Sequence, residues 1–175
     1  AYVMDLNSES IERYSRNILL PEIGGTGQEK LLKAKVLVIG AGGLGSPLII
    51  YLAASGVGNI TVIDHDKVEL SNLQRQIIHS TSSIGEPKSV SAARRLTMLN
   101  PGIEVEPIVD RLNEDNAVQI VSGYDIVIDD FDLPLSTSTS RTQAATDNGT
   151  KITAAGVVTT NAAHGFAVGD GVTLS

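Results

Sequence analysis

Four apolar residues, Val36-Leu37-Val38-Ile39, pass without a break into Gly40-Ala41-Gly42-Gly43-Leu44-Gly45. A continuous, largely β-branched run of this kind reads as a strand buried on both faces, and such strands belong to parallel sheets covered by helices. The glycines match G-x-G-x-x-G at Gly40, Gly42 and Gly45. Phosphates approach a loop of this kind too closely for a β-carbon, and its tight turn favours positive φ. Leu48 to Ala54 then reads as a buried helix ended by Ser55-Gly56. Its start would offer unpaired N–H groups and the positive end of the helix dipole to an anion. A second strand, Asn59 to Asp64, closes on a carboxylate 19 residues past Gly45, where ribose hydroxyls can be held. Alone, the loop leaves two other readings open: a strand-to-helix packing turn, and a nicotinamide or flavin dehydrogenase.

The flanking sequence extends the pattern. Residues 1–7 read as a flexible lead-in. Ser8 or Ser10 caps a short helix running through Ile18, with Ile11, Tyr14 and Ile18 at helical spacing. Pro21 and Gly24-Gly25-Thr26-Gly27 interrupt it, and a second short helix covers Gln28 to Ala34. Pro87 suits the first position of a helix over Lys88 to Leu99, which Asn100-Pro101-Gly102 ends. Ile103 to Val109 alternates as a strand, Asn113 caps a helix over Asp115 to Val121, and Asp125 to Asp129 is another buried strand. Strands alternating with helices imply an α/β fold: a Rossmann-like, doubly wound, mostly parallel sheet behind an N-terminal helical segment.

Composition narrows the function classes. At 175 residues one domain is the default. A net charge of −7 argues against nucleic acid or an anionic membrane as partner. No signal-peptide pattern or membrane-length apolar run is present, so the expected setting is cytoplasmic. The absence of cysteine excludes disulfides, a thiolate zinc site and a thioester step on this chain. Charge is unevenly spread. Residues 134–175 carry only Arg141, Lys151, Asp147 and Asp170, so the whole net charge lies in residues 1–133.

Four further segments accompany the glycine loop: Arg13-Tyr14-Ser15-Arg16, Asp64-His65-Asp66, Ser71-Asn72-Leu73-Gln74-Arg75-Gln76 and Gly85-Glu86-Pro87-Lys88. Their order and spacing over about residues 8–132 resemble the ThiF/MoeB family, adenylyltransferases of ubiquitin-like sulfur-carrier proteins related to the ubiquitin-activating enzymes. The resemblance implies a reaction in which the C-terminal Gly-Gly carboxylate of a carrier protein attacks the α-phosphate of ATP. The products are an acyl-adenylate and pyrophosphate. It implies ATP and Mg²⁺, a homodimer, and roles residue by residue. Gly40, Gly42, Gly43 and Gly45 lie under the nucleotide, and Asp64 holds the ribose. Ser71 and Asp66 belong to the same nucleotide-binding segments, and Asn72, Arg75 and Lys88 contact phosphates. Arg16 reaches into the partner subunit's site, and Asp132 of Asp129-Asp130-Phe131-Asp132 holds the metal. Plainer readings stand beside these. Asn72 can be a cap, Arg75 and Arg16 solvated charges, and Asp66 the cap of the following turn. His65 and His79 stand alone, His79 as a structural element of the family-like segment.

The family pattern breaks after residue 132, where Leu133-Pro134-Leu135 and alternating Ser and Thr follow. Residues 133–175 read as a separate β-type tail. Ile152, Val157-Val158 and Val172-Thr173-Leu174 supply strand-like stretches, and His164 to Asp170 faintly resembles small β modules of phage structural proteins. A fused or truncated product, a shortened family member or a chimera would each produce this break. Loss of the outer strands would expose a sheet edge unless the tail covers it. A second function class therefore remains: a catalytically inactive nucleotide-binding or assembly module.

Overall fold

The computed structural model describes residues 6–113, 115–129, 151–152 and 157–159. Six helices and six strands are described. They are α1 (Ser8–Arg13), α2 (Ser15–Ile18), α3 (Gly24–Lys33), β1 (Lys35–Ile39), α4 (Gly45–Ser55), β2 (Asn59–Ile63), α5 (Lys88–Leu99), β3 (Glu104–Ile108), α6 (Ala117–Val121), β4 (Ile126–Asp129), β5 (Lys151–Ile152) and β6 (Val157–Thr159). The sheet order is β3-β2-β1-β4-β6-β5. The first four are parallel, with Ile39 opposite both Ile63 and Asp129 at their carboxyl ends. β6 runs antiparallel to β4, with Val127 opposite Val158 and Ile128 opposite Val157.

Strand alternation explains the two-sided core. Successive side chains point to opposite faces. Val36, Val38, Ile60 and Val62 bury against Ile49 and Ala53 of α4 and Ala92 and Leu96 of α5. Leu37, Ile63 and Val127 pack on the other face with Val121 of α6. The chain thus lays β1, β2 and β3 outward in one direction, then returns beneath the sheet through α6 to place β4 beside β1. That reversal makes the fold doubly wound and puts its switch point between β1 and β4, where ligands of such sheets bind. On one side the outermost parallel strand, β3, is protected as an edge by Glu104, Glu106 and Pro107. On the other, β6 covers the flank of β4.

Several local expectations need correction. Neither Ser8 nor Ser10 caps the first helix: Asn7 does, its side chain accepting from Ser10 N–H at 2.8 Å. The helix also breaks at Tyr14, so Ile11, Tyr14 and Ile18 do not form one buried stripe. Tyr14 is buried and Ile11 exposed. Gly24 to Gly27 do not interrupt a helix but begin α3. At Gly27 a β-carbon would come within 3.0 Å of Ile23 Cγ2, so close packing favours glycine there against its low helix propensity. Pro87 is the N-cap of α5, not its first residue. α6 is shorter than expected and starts after Asn116, which makes no side-chain capping bond; the expected capping oxygen is Asn113 Oδ1, which accepts from the N–H groups of Asp115 and Asn116 one turn earlier. α4 is only half-buried, for Ile49 and Ala53 face the core whereas Tyr51 is exposed. Ile152, Val157 and Val158 fall in strands, whereas Val172 to Leu174 and His164 to Asp170 lie outside the described residues.

Candidate nucleotide site

The glycine loop leaves β1 beside the switch point. Gly40 takes φ +96°, a conformation that disfavours any side chain, and its N–H donates to Ile63 O at 2.8 Å. Ala41 has no strand partner; side chains hold both of its backbone groups. Its N–H donates to Asp64 Oδ2 at 2.9 Å, and its carbonyl accepts from His79 Nε2 at 3.1 Å. Gly42 O accepts from Ser46 N–H at 3.0 Å as α4 begins. Pro47 sits in the first turn of α4, where its missing N–H costs nothing.

Asp64 stands just past β2. Its Oδ1 also accepts the N–H of Asp66, at 2.8 Å. One backbone bond on each oxygen leaves lone pairs on both, since a carboxylate offers about four. Asp66 accepts from Lys88 Nζ at 3.1 Å and lies 3.2 Å from His65 Nε2. Lys88 is buried while Asp66 is half-exposed. The ion pair compensates the burial of the ammonium group at the start of α5, where the helix dipole opposes it. A short antiparallel pairing brings the two segments together. Lys88 N–H donates to Asp66 O, Val68 N–H to Glu86 O and Gly85 N–H to Val68 O, with Gly85 turning at φ +88°. Asp64, His65 and Asp66 could together face a cation. Their oxygens already serve two backbone N–H groups and the Lys88 ammonium.

Asn72 has the capping role: its Oδ1 accepts from Glu69 N–H at 3.0 Å, in a reciprocal box closing the 3₁₀ turn Leu70–Asn72. Ser71 Oγ donates to Glu69 Oε2 at 3.3 Å. Arg75 follows that turn, and its stem lies over the glycine loop. A β-carbon at Gly43 would sit 3.6 Å from Arg75 Cδ. Among the described residues the guanidinium makes one hydrogen bond, to Ser71 O at 3.3 Å. Two buried atoms of the framing segments, Ser46 Oγ and Gln76 Oε1, have no hydrogen-bond partner among the described residues. Such atoms cost about 1–3 kcal/mol each when unsatisfied.

The structure thus gathers Gly40, Gly42, Gly43, Gly45, Asp64, Asp66, Arg75 and Lys88 around the carboxyl ends of β1 and β2, with Ser71 and Asn72 in the turn that carries Arg75. Arg16 is elsewhere. Its neighbour Asn17 donates to Ser55 O at 3.2 Å, at the C-terminal end of α4. The 11 residues of α4 separate that point from the loop by about 16 Å. Asp132 lies outside the described residues, as does Asp130. Asp129, the last residue of β4, faces Ile39 across the switch point.

His79 and Ser91 belong to the site, although sequence reasoning gave His79 only a structural place in the family-like segment and gave Ser91 none. His79 Nδ1 is 2.9 Å from Ser91 Oγ while its other nitrogen holds the loop carbonyl. Burial, aided by the Lys88 charge, holds its imidazole below the ordinary pKa of 6.5, against the contrary effects of the Ala41 bond and Asp64. The only local signal was its place three residues past Gln76.

Comparison with known proteins agrees with this fold. The family model described as the ThiF family matches residues 14–171, running past residue 132 where the motif pattern breaks. The chain is 53% identical over 131 residues to the adenylyltransferase and sulfurtransferase MOCS3 of Arabidopsis thaliana, covering 75% of this chain and 28% of that protein. It is 46% identical over 129 residues to the sulfur carrier protein adenylyltransferase of Thermus thermophilus, covering 74% and 48%. The crystal structure of Escherichia coli MccB with ATP superposes with a TM-score of 0.63 at 36% identity, covering 70% of this chain and 38% of that one. The chain spans less than half the length of either of these relatives. With a family match over most of its length, the chain belongs to the ThiF family.

Proposed function

We propose that this chain carries the nucleotide half of an ATP-dependent adenylyltransferase acting on the C-terminal Gly-Gly carboxylate of a ubiquitin-like sulfur-carrier protein. The observation that carries the reading is the convergence of Arg75, Lys88 and Asp64 on a glycine loop at the switch point. Relatives named as adenylyltransferases and a similar fold solved with ATP support it.

In this reading the loop N–H groups and the start of α4 receive the phosphates. The remaining lone pairs of Asp64 accept ribose hydroxyls while its backbone bonds hold the loop still. A carrier carboxylate oxygen attacks the α-phosphorus, the bond to the bridging β-phosphate oxygen breaks, and pyrophosphate leaves with that electron pair. No proton need move. The demand is for positive charge at the phosphates, which Arg75 supplies from above Gly43 and Lys88 from the first turn of α5. Lys88 is held ready by Asp66, an exposed partner that phosphate oxygens can replace. Mg²⁺ would add neutralising charge, held by Asp132, the residue three past the end of β4. Arg16, on α2 beside the far end of α4, fits a role in a partner subunit's site within a homodimer and not in its own.

The test is pyrophosphate exchange into ATP dependent on a Gly-Gly-ended carrier protein. Exchange should appear with the carrier, and Arg75→Ala should abolish it. The second reading, a nucleotide-binding or assembly module without catalysis, is motivated by the absence of cysteine and the change of composition after residue 132. ATP binding without any exchange would establish it in place of the first.

A further inference from the structure

Resting on the adenylyltransferase reading above, and on Arg16 serving a partner subunit's site, we propose that Tyr14 and Asn17 are positioning residues for Arg16: they brace its turn of helix against the C-terminal end of α4. The last carbonyls of an α-helix have no partner within it. Here side chains from distant segments supply the donors. Asn17 Nδ2 donates to Ser55 O at 3.2 Å and to Gln28 Oε1 at 3.1 Å, and Gln28 Nε2 donates to the same Ser55 O at 2.9 Å. Asn100 Nδ2 donates to Ala53 O at 2.7 Å and to Tyr14 OH at 2.8 Å. The fit is close at Gly56, where a β-carbon would stand 2.6 Å from both Gln28 Nε2 and Tyr14 Cε1. Tyr14 and Gln28 are both buried, so this brace is packed as well as hydrogen-bonded.

Arg16 lies between the two anchors. Tyr14 and Asn17 are three residues apart and share one face of the turn, whereas Arg16, about 100° round from Asn17, is turned away from it. Arg16 is exposed and makes no hydrogen bond or ion pair among the described residues. Its side chain must lose rotamer freedom on binding, but the backbone beneath it is already fixed. The C-terminal end of α4, where it stands, is about 16 Å from the subunit's own glycine loop. α4 is thus a spacer of fixed length, with the crevice at one end and the platform for the arginine at the other. In a two-fold dimer each subunit both supplies and receives an arginine, so this one helix sets the reach at both sites.

The test pairs two inactive full chains and reads pyrophosphate exchange into ATP, with a ubiquitin-like protein ending in Gly-Gly as carrier. Arg75→Ala chains keep Arg16 but lose the crevice; Arg16→Ala chains keep the crevice. Co-expressed, they should recover about a quarter of the wild-type rate, since half the dimers join unlike chains and each of those holds one whole site. Asn17→Leu is then placed in one chain at a time. In the Arg75→Ala chain, which supplies Arg16, it should lower the recovered rate about tenfold. In the Arg16→Ala chain, which supplies no arginine, it should lower that rate less than about twofold. Equal losses from the two placements, or no loss from either, overturn the proposal, because a merely structural role weakens both chains alike. Should chains carrying Asn17→Leu not fold, Tyr14→Phe decides by the same criterion, for it keeps the ring and removes only the bond from Asn100. Wild type without carrier-dependent exchange removes the adenylyltransferase reading. An active wild type whose paired parent chains recover nothing removes the role of Arg16 in a partner's site. The proposal falls with either, whereas symmetric losses remove it alone.

Discussion

The two ends of α4 are both polar, and they are built to opposite purposes. At its C-terminal end Asn100 Nδ2 donates to Tyr14 OH at 2.8 Å and to Ala53 O at 2.7 Å. Gln28 Nε2 and Asn17 Nδ2 both donate to Ser55 O, and Asn17 Nδ2 also donates to Gln28 Oε1. The chain turns beneath them at Gly56, φ +88°. These groups satisfy one another and close the space around the turn. At the N-terminal end side chains hold the backbone of the loop, Arg75 lies over Gly43 with a single backbone partner among the described residues, and Lys88 pairs nearby with the half-exposed Asp66. Polar groups satisfied among themselves hold this fold together; those left with capacity to spare mark where a ligand belongs.

Substitutions at the closed end should cost stability and leave the crevice alone. The largest effect is expected at Gly58, where an added β-carbon would lie 1.7 Å from Leu32 O, a backbone atom that cannot swing aside. Gly58→Ala should lose about 3 kcal/mol or more, read as a fall in the urea midpoint. Asn100→Ala should cost about 2 kcal/mol, since it removes the donor to the buried Tyr14 hydroxyl and leaves the Ala53 carbonyl only its longer bond from Gly56 N–H. Its ATP affinity, measured on the folded fraction, should match wild type. A large loss of ATP affinity there would break the contrast between the two ends.

At the open end the sign reverses. Arg75→Ala should change stability by no more than about 0.5 kcal/mol, because the exposed side chain makes one weak backbone bond. Its cost should fall instead on nucleotide binding. His79 links stability to pH. Its folded pKa lies below the ordinary value of 6.5, so above that value both states are neutral and stability is full. As pH falls below it the unfolded chain takes up the proton first, and stability is lost. Denaturant melts of wild type and His79→Gln should differ in slope between about pH 6.5 and pH 5, with wild type the steeper.

What could be read from the sequence was local. The strands β1 and β4 follow from continuous apolar runs and β2 from a β-branched one, and the crevice follows from glycines at the end of β1. The pairing of Lys88 with Asp66 was not legible, for 22 residues separate them and Asp66 read equally well as the cap of a turn. The capping role of Asn72 was weighed and is the one its Oδ1 fills. The rest depends on separation along the chain. His79 meets Ala41 38 residues away, and Asn100 meets Tyr14 86 residues away. No spacing rule announces such pairs. The start of α3 escaped the sequence reading for a related reason, since one of its glycines, Gly27, packs closely against Ile23.

The central claim is that the open end of α4 is a nucleotide site, and calorimetric titration of wild type and Arg75→Ala with ATP and Mg²⁺ tests it most directly. Saturable binding by wild type, weakened about tenfold or more in an Arg75→Ala chain of unchanged stability, is the result expected. No binding by wild type at millimolar nucleotide, or equal binding by both chains, would contradict it.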